Sequence, residues 1–444
     1  MIHTLIALLN VFVLYVVIYT AVHRLSAINA QSLIKLTSVV LLFTALSILY
    51  YLMAVINQDF AGLLIFMTVV NIPLAYFCRS SFTEIVSFNG VNWNSKSRFW
   101  PLIALLFFTL YFFLFASKYG GWDAWAMWNL KAKLLYYSSG WKNLFLDRMH
   151  FSSPDYPLML PATIAFFWSV VHNTSPFVPM LFSYLVFILI PLIIYYSLLN
   201  KGLGLFACLS LVIFITDRTY RSLAIAQESD VLFSMLILLV VVHYSYLKKA
   251  SDHHVFLLAF ICASSGWVKN EGIVFSLLFT LCFLIKNYKD RLAILKYGGG
   301  FVIPMLIVIS FKWFYAPANS IVAHQHGVSS FRAHLLAPAK YMTIGKAVID
   351  MIFTNYLMLP ILAVVVFLYN AKFLLSLPLM VIYLLMGAYF VAYLAAPGDL
   401  NWLLSTSLIR LVEHVFPALI FLLLFGLKGI SQTQPLHLAG KQDI

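Results

Sequence analysis

Apolar and polar positions divide the chain into long apolar runs separated by short polar breaks. The runs fall near 3–22, 35–56, 61–78, 100–117, 176–198, 203–216, 231–247, 255–268, 273–285, 299–315, 346–369, 373–396 and 410–427. A helix crossing a hydrocarbon core of about 30 Å needs roughly 20 predominantly apolar residues. The pattern therefore predicts an all-α polytopic membrane protein with about 13 transmembrane helices. A shorter run at 158–172 follows Pro157 and is expected to lie in or near one interface. The first run, in MIHTLIALLNVFVLYVVIYTAVHRL, lacks the basic leader of a signal peptide and reads as a spanning helix.

Gly121–Pro161 is the longest interval with no run of spanning length. In it Asp123 sits between Trp122 and Trp125, Trp128, Asn129, Lys131 and Lys133 follow, and Ser153-Pro154-Asp155-Tyr156-Pro157 closes the segment. Tryptophan and tyrosine favour the membrane–water boundary, so Asp123 is expected at the mouth of a membrane-embedded cleft. The runs at 203–216, 255–268 and 273–285 are short for a crossing, and the breaks beside them are charged. One break holds Asp217, Arg218, Arg221, Glu228 and Asp230; another holds Lys269 and Glu271. Irregular backbone at membrane depth survives only where protein buries it or it lines a polar cavity. An ionisable group there costs about 2.5–3.5 kcal/mol on insertion scales. These breaks are therefore expected to build a site.

Of the 444 residues, 63% are hydrophobic and only 10% charged, against roughly a quarter charged in soluble domains. This leaves no room for a separate soluble domain. The formal charge of +13 is assigned to helix-orienting loops and not to a nucleic-acid partner. Loops holding Arg24 and Lys35, Arg79 with Lys96 and Arg98, Lys201, Lys248 with Lys249, Lys286 to Lys296, Lys372 and Lys428 read as cytoplasmic. With 158–172 not crossing, residues 121–161, 217–230, 269–271, 316–345 and 397–409 then share the outer face. Cys78, Cys208, Cys262 and Cys282 show no CxxC or metal spacing, which indicates neither disulfides nor a cysteine-bound metal.

The outer face gathers the acids Asp123, Asp155, Glu228, Asp230 and Glu271 and the bases Lys131, Arg218, Arg221, Lys269 and Arg410. No HExxH, GxSxG elbow or phosphate-cradling glycine loop is present. The remaining chemistry is a carboxylate base with cations suited to a phosphate; the plainer alternative is structural ion pairs at helix ends. AHQHGVSSFRAH adds His324, His326 and His334 as candidate ligands and Arg332 as a further phosphate contact.

In this order, GWDAWAMWNLKA, SSPDYPLMLP, AQESDVLFSMLIL, GWVKNEG and DLNWLLSTSLIRLVEHVFP resemble GT-C superfamily membrane glycosyltransferases. The nearest likeness is to bacterial relatives of protein mannosyltransferases and of the lipid A aminoarabinose and core galacturonic acid transferases. The resemblance covers roughly Pro101 to Pro417. It departs from the superfamily in its three preceding helices, in a lone Asp123 without an adjacent Glu, and in showing no sizeable C-terminal soluble domain.

The resemblance implies 1–99 as extra N-terminal transmembrane helices, 100–427 as a catalytic membrane domain with a large first external loop carrying short interfacial helices, and 428–444 as a short cytoplasmic tail. It implies an inverting transferase in a bacterial inner membrane, its site facing the periplasm. The sugar would pass from a polyprenyl-phosphate donor to a lipid or glycan acceptor. Asp123 takes the role of general base; Lys269, Arg410, Lys131 and Arg221 hold the donor phosphate; Asp155, Asp230, Glu228 and Tyr156 orient the acceptor or a metal. The resemblance names no cofactor beyond the polyprenyl-phosphate sugar that serves as donor, and a divalent cation is allowed for. The rival readings are a lipid-glycan ligase or polymerase using a polyprenyl diphosphate, and a transporter, for which no convincing internal repeat is found.

Overall fold

The structure is a computed structural model that describes residues 2–86, 96–249, 252–318, 337–396 and 399–428. His324, His326, Arg332 and His334 and the tail beyond Lys428 lie outside the described residues. Among those described there are helices and no strands. In chain order they are α1 (Ile2–Leu25), α2 (Gln31–Val55), α3 (Phe60–Phe77), α4 (Arg79–Val86), α5 (Lys96–Phe115), α6 (Asn129–Tyr136), α7 (Met159–Val171), α8 (Phe177–Asn200), α9 (Gly204–Thr216) and α10 (Arg218–Ile225). They continue as α11 (Ser229–Ser245), α12 (His254–Ser265), α13 (Asn270–Lys286), α14 (Arg291–Phe314), α15 (Pro338–Asn355), α16 (Met358–Asn370), α17 (Leu377–Ala395), α18 (Leu400–Glu413) and α19 (Phe416–Gly426).

Seven helical stretches in the described residues are long and apolar enough to cross a membrane, or up to nine if each of two bent pairs counts as one crossing. α5, from Phe99, with α7, α9 and α12 are apolar but shorter. Two runs that look continuous in the sequence are divided. The stretch at 346–369 breaks at Tyr356 into α15 and α16, and that at 410–427 breaks between Glu413 and Phe416 with a bend of 43°. Pro360 and Pro417 each lie in the first turn of the following helix. There a missing N–H costs nothing, whereas mid-helix it would remove a bond.

The interior is organised around α11, buried from Ser229 through His243, which contacts α8, α12, α18 and α19. A helix apolar on every side is buried on every side. α7 runs along α2, with the Thr163 hydroxyl donating to the Phe43 carbonyl at 3.4 Å and Ser169 Oγ 2.8 Å from Tyr50 Oη. At the opposite end of α11 a chain of hydrogen bonds joins three helices. The backbone N–H of Ala27 donates to His254 Nδ1 at 2.8 Å. His254 Nε2 must then carry the hydrogen directed at His243 Nδ1, 3.0 Å away, and His243 Nε2 the one directed at Thr37 Oγ1, 3.1 Å away. Both imidazoles are buried.

Candidate active site

Three turns meet at one place, with α18 laid across them. The first, from Ser117 to Asp123, enters the 121–161 segment. Gly120 there has φ +73°, and a Cβ on it would stand 2.5 Å from the Ala226 carbonyl oxygen, so glycine is required by conformation and by space. Gly121 N–H donates to that same oxygen at 2.8 Å, and Gln227 Nε2 donates to the Ser117 carbonyl at 2.7 Å. The Ala226–Glu228 turn, with Gln227 at φ 61°, is the second element, and it bends α10 by 119° from α11. The third is Val268–Glu271, which is drawn in by Gly272: a Cβ at this position would meet the Ser265 carbonyl oxygen at 1.9 Å.

Beyond Asp123 the backbone makes a π-turn over Ala124–Trp128, with Asn129 N–H bonded to the Ala124 carbonyl. This wide turn, a form often found at functional sites, brings Asp123, Met127 and Trp128 onto one wall of a cavity of about 220 Å³. Ser153, Tyr156, Asp230, Lys269, Glu271, Ser407 and Arg410 supply the rest of the polar lining. Trp122 and Trp125 turn outward, 56% and 53% exposed, and only Trp128 of the three tryptophans frames the cavity.

Asp230 is the hub of the charges. Its Oδ1 accepts from Lys269 Nζ at 2.8 Å and His414 Nε2 at 2.8 Å, and its Oδ2 from Arg410 Nη2 at 3.0 Å. His414 Nδ1 in turn lies 3.0 Å from the Tyr389 hydroxyl; with Nε2–H committed to a carboxylate, Nδ1 is the acceptor. Arg410 joins three acids, with Nη1 2.6 Å from Asp123, Nη2 on Asp230 and Nε 3.5 Å from Glu228. The five fixed N–H donors of a guanidinium, spread over three nitrogens, suit acids placed on three sides. Lys269 has Glu271 as a second acid at 3.8 Å, and the Tyr156 hydroxyl donates to Glu271 at 3.3 Å. The charge on Glu271 holds the Tyr156 phenol well above its ordinary range, helped by burial.

Asp123, Asp230, Lys269, Arg410 and Tyr156 are thus brought together around the cavity, with Glu228 reaching Arg410 from the side. Three other candidates stand elsewhere. Lys131 is buried and donates to the Ser153 carbonyl at 2.6 Å; burial pushes its ammonium down to about 7, Lys312 adding to the effect and Asp155 opposing it. Asp155 accepts from Asn270 Nδ2 at 2.7 Å, and Lys312 donates both to the Asp155 carbonyl and to Asn270 Oδ1. Both residues fasten the 153–157 turn beneath the cavity. Arg221 lies 4.6 Å over the ring of Tyr111 and donates from Nε to the Asp217 carbonyl, outside the cavity. Among the described residues no three His, Cys, Asp or Glu side chains form a group able to hold a metal ion.

Sequence reasoning passed over His414. A signal existed: it follows Arg410 by four residues on a helix, which places both on one face.

The fold and its apolar helices define an all-helical, multi-pass membrane protein. No family model, curated protein or solved structure matches the chain.

Proposed function

We propose that the protein is a GT-C-type glycosyltransferase that moves a sugar from a polyprenyl-phosphate donor to a lipid or glycan acceptor. The observation that carries this reading is the placing of Asp123, Asp230, Lys269 and Arg410, from four separate parts of the chain, around one small polar cavity in an otherwise apolar protein. Asp123 is the general base. It removes the acceptor hydroxyl proton while the oxygen attacks the anomeric carbon; the bond from that carbon to the phosphate oxygen breaks and the polyprenyl phosphate leaves, with inversion. Lys269 and Arg410 stabilise the charge growing on the departing phosphate. Glu228 and Asp230 hold Arg410 in place, and Tyr156 and Glu271 border the acceptor.

This reading keeps about thirteen crossings by counting shorter apolar helices as spans, and it takes 121–161 as the external catalytic loop on the periplasmic side of a bacterial inner membrane. The ligase reading fits less well. A diphosphate brings more negative charge to a site where both lining cations already have carboxylate partners.

The test compares mass spectra of surface lipids and glycans from cells making the protein, cells lacking it, and cells making Asp123→Asn. One lipid or glycan species should carry an added sugar only with the unaltered chain. General-base contributions of about 10²–10⁴-fold put the variant with the null. A sugar still added at the normal level by the Asn variant removes Asp123 from the base role, and identical spectra in all three strains refute the transferase reading.

A further inference from the structure

The Arg410 cavity is small and polar-walled. A long apolar groove of about 470 Å³ lies elsewhere, between α1 and α3, walled by Ile6, Leu9, Val13, Leu64, Ile65 and Ile72. It follows α3 from Ala61 to Ala75, which at 1.5 Å per residue is roughly 20 Å, more than half of a hydrocarbon core of about 30 Å. Polar side chains along it satisfy one another: Asn10 Nδ2 donates to Thr68 Oγ1 at 2.9 Å and Asn71 Nδ2 to Asn10 Oδ1 at 2.9 Å.

At the start of both helices the groove runs into a second cleft of about 620 Å³, with which it shares His3 and Ala61. This cleft is more polar than the groove, with Asp59, Tyr136, Tyr137, Ser169 and His172 lining it beside Phe60 and Ala61. The rings of His3 and His172 meet edge-on at 6.4 Å, and the Thr4 hydroxyl donates to the Val170 carbonyl at 3.0 Å, fastening the start of α1 to the end of α7. Apolar wall followed by polar mouth, along helices of spanning length, is the polarity order of a membrane lipid.

We propose that this slot holds one zwitterionic phospholipid, its hydrocarbon chain between α1 and α3 and its headgroup in the cleft at His3, Asp59, Tyr137 and His172. The charge of the lining selects the headgroup. It offers one carboxylate, two imidazoles and two phenols, and no lysine or arginine. An anionic headgroup would face Asp59 with no compensating cation. A zwitterion gives its ammonium to Asp59 and its phosphate to the imidazole N–H groups and the Tyr137 hydroxyl. Asp59 Oδ1 accepts from the Gly62 N–H at 2.8 Å as the cap of α3, which leaves Oδ2 for the ammonium. The proposal does not rest on the transferase reading.

The experiment is native mass spectrometry of the full-length protein, delipidated in detergent and titrated with phosphatidylethanolamine or phosphatidylglycerol of matched chains. The unaltered protein should retain one phosphatidylethanolamine, about tenfold or more in preference to phosphatidylglycerol, as expected for one charge-assisted hydrogen bond. Ala61→Trp fills the junction of groove and cleft and should lower retention by about tenfold or more. Asp59→Asn still caps α3, since asparagine is as good a cap as aspartate, and should bring the two lipids to parity. Equal retention of both lipids by the unaltered protein, or unchanged retention by Ala61→Trp, overturns the proposal. If Ala61→Trp fails to fold, Asp59→Asn decides: a preserved preference for phosphatidylethanolamine overturns the proposal.

Discussion

Replacing Asp230 by Asn keeps the shape of the side chain and removes one charge from the most buried acid of the cluster. The carboxylate is 1% exposed and faces three donors: Lys269, itself 5% exposed, Arg410 and His414. Arg410 would keep Asp123 and Glu228, and His414 would keep Tyr389. Lys269 would keep only Glu271 at 3.8 Å. Most of the loss therefore falls on one buried ammonium. At an effective dielectric of about 20, two unit charges about 4 Å apart attract by about 4 kcal/mol. Mutational removal of one member of a buried pair costs about 3–5 kcal/mol, and the amide adds an N–H₂ where the site already supplies donors.

The expected loss on Asp230→Asn is thus about 3–5 kcal/mol, measured by equilibrium unfolding in mixed micelles. Adding Lys269→Met removes the stranded ammonium, so the double variant should be more stable than Asp230→Asn alone. The coupling, taken after subtracting the cost of Lys269→Met alone, should be about 1–3 kcal/mol, the size contacting residues show. A loss below about 1 kcal/mol, the level of a surface pair, would refute the hub assignment. So would strict additivity of the two substitutions.

Other expectations follow from the same geometry. Lys131 has its folded pKa lowered from 10.5 to about 7, so protonating it opposes folding: the penalty is full below about pH 7 and fades as pH rises toward 10.5. Thermal midpoints should climb between pH 7 and 9.5 in the unaltered protein, with a shallower climb in Lys131→Met; equal slopes would contradict this. His243→Ala opens a cavity and strands both Thr37 and His254, which should cost about 2–4 kcal/mol of unfolding free energy; His254→Ala should cost a similar amount, and a neutral result at either position would break the proposed chain. Gly120→Ala forces a side chain into the left-handed region and onto the Ala226 carbonyl. Its strain of about 1–3 kcal/mol should lower the unfolding midpoint and, on the proposed function, also lower the rate of transfer, because the turn it displaces carries Asp123; unchanged values of both would contradict this.

The sequence was most legible where one residue type has one physical meaning. Charges in breaks between apolar runs are costly unless a cavity takes them, and Asp123, Asp230, Lys269 and Arg410 do converge on one. Lys131 and Arg221 carry the same charges in similar breaks, yet each ends on a backbone carbonyl and aromatic rings. Composition does not distinguish these outcomes, because they depend on which turn docks on which. The docking is fixed by Gly120 and Gly272, whose close approaches leave no trace in hydropathy. The divided runs at 346–369 and 410–427 were misleading for a related reason: each is apolar enough overall to pass for one span, and its break is marked only by a polar pair, Thr354-Asn355 or Glu413-His414, and a following proline. Trp122 and Trp125 behave as interfacial side chains should, but their exposure leaves the framing of the cavity to Trp128.

The ion pair between Arg410 and Asp123 bears on the order of events in the proposed reaction. At 2.6 Å from the guanidinium, Asp123 is already committed, and a base must be free on the side of the incoming hydroxyl. Arg410 is held independently by Asp230 and Glu228, so it can give up one contact without leaving the cavity. A phosphate arriving beside Lys269 competes with Asp123 for Nη1, offering charged oxygens that match the planar fork of the guanidinium. Donor binding would thereby release the carboxylate. In this arrangement the base is unmasked only when there is a leaving group to displace. The four acids around Arg410 and Lys269 are then consistent with a phosphate-binding role: they keep one buried and one half-buried cation satisfied before the donor arrives, as charges withdrawn from water require, and they yield one contact when the donor is in place.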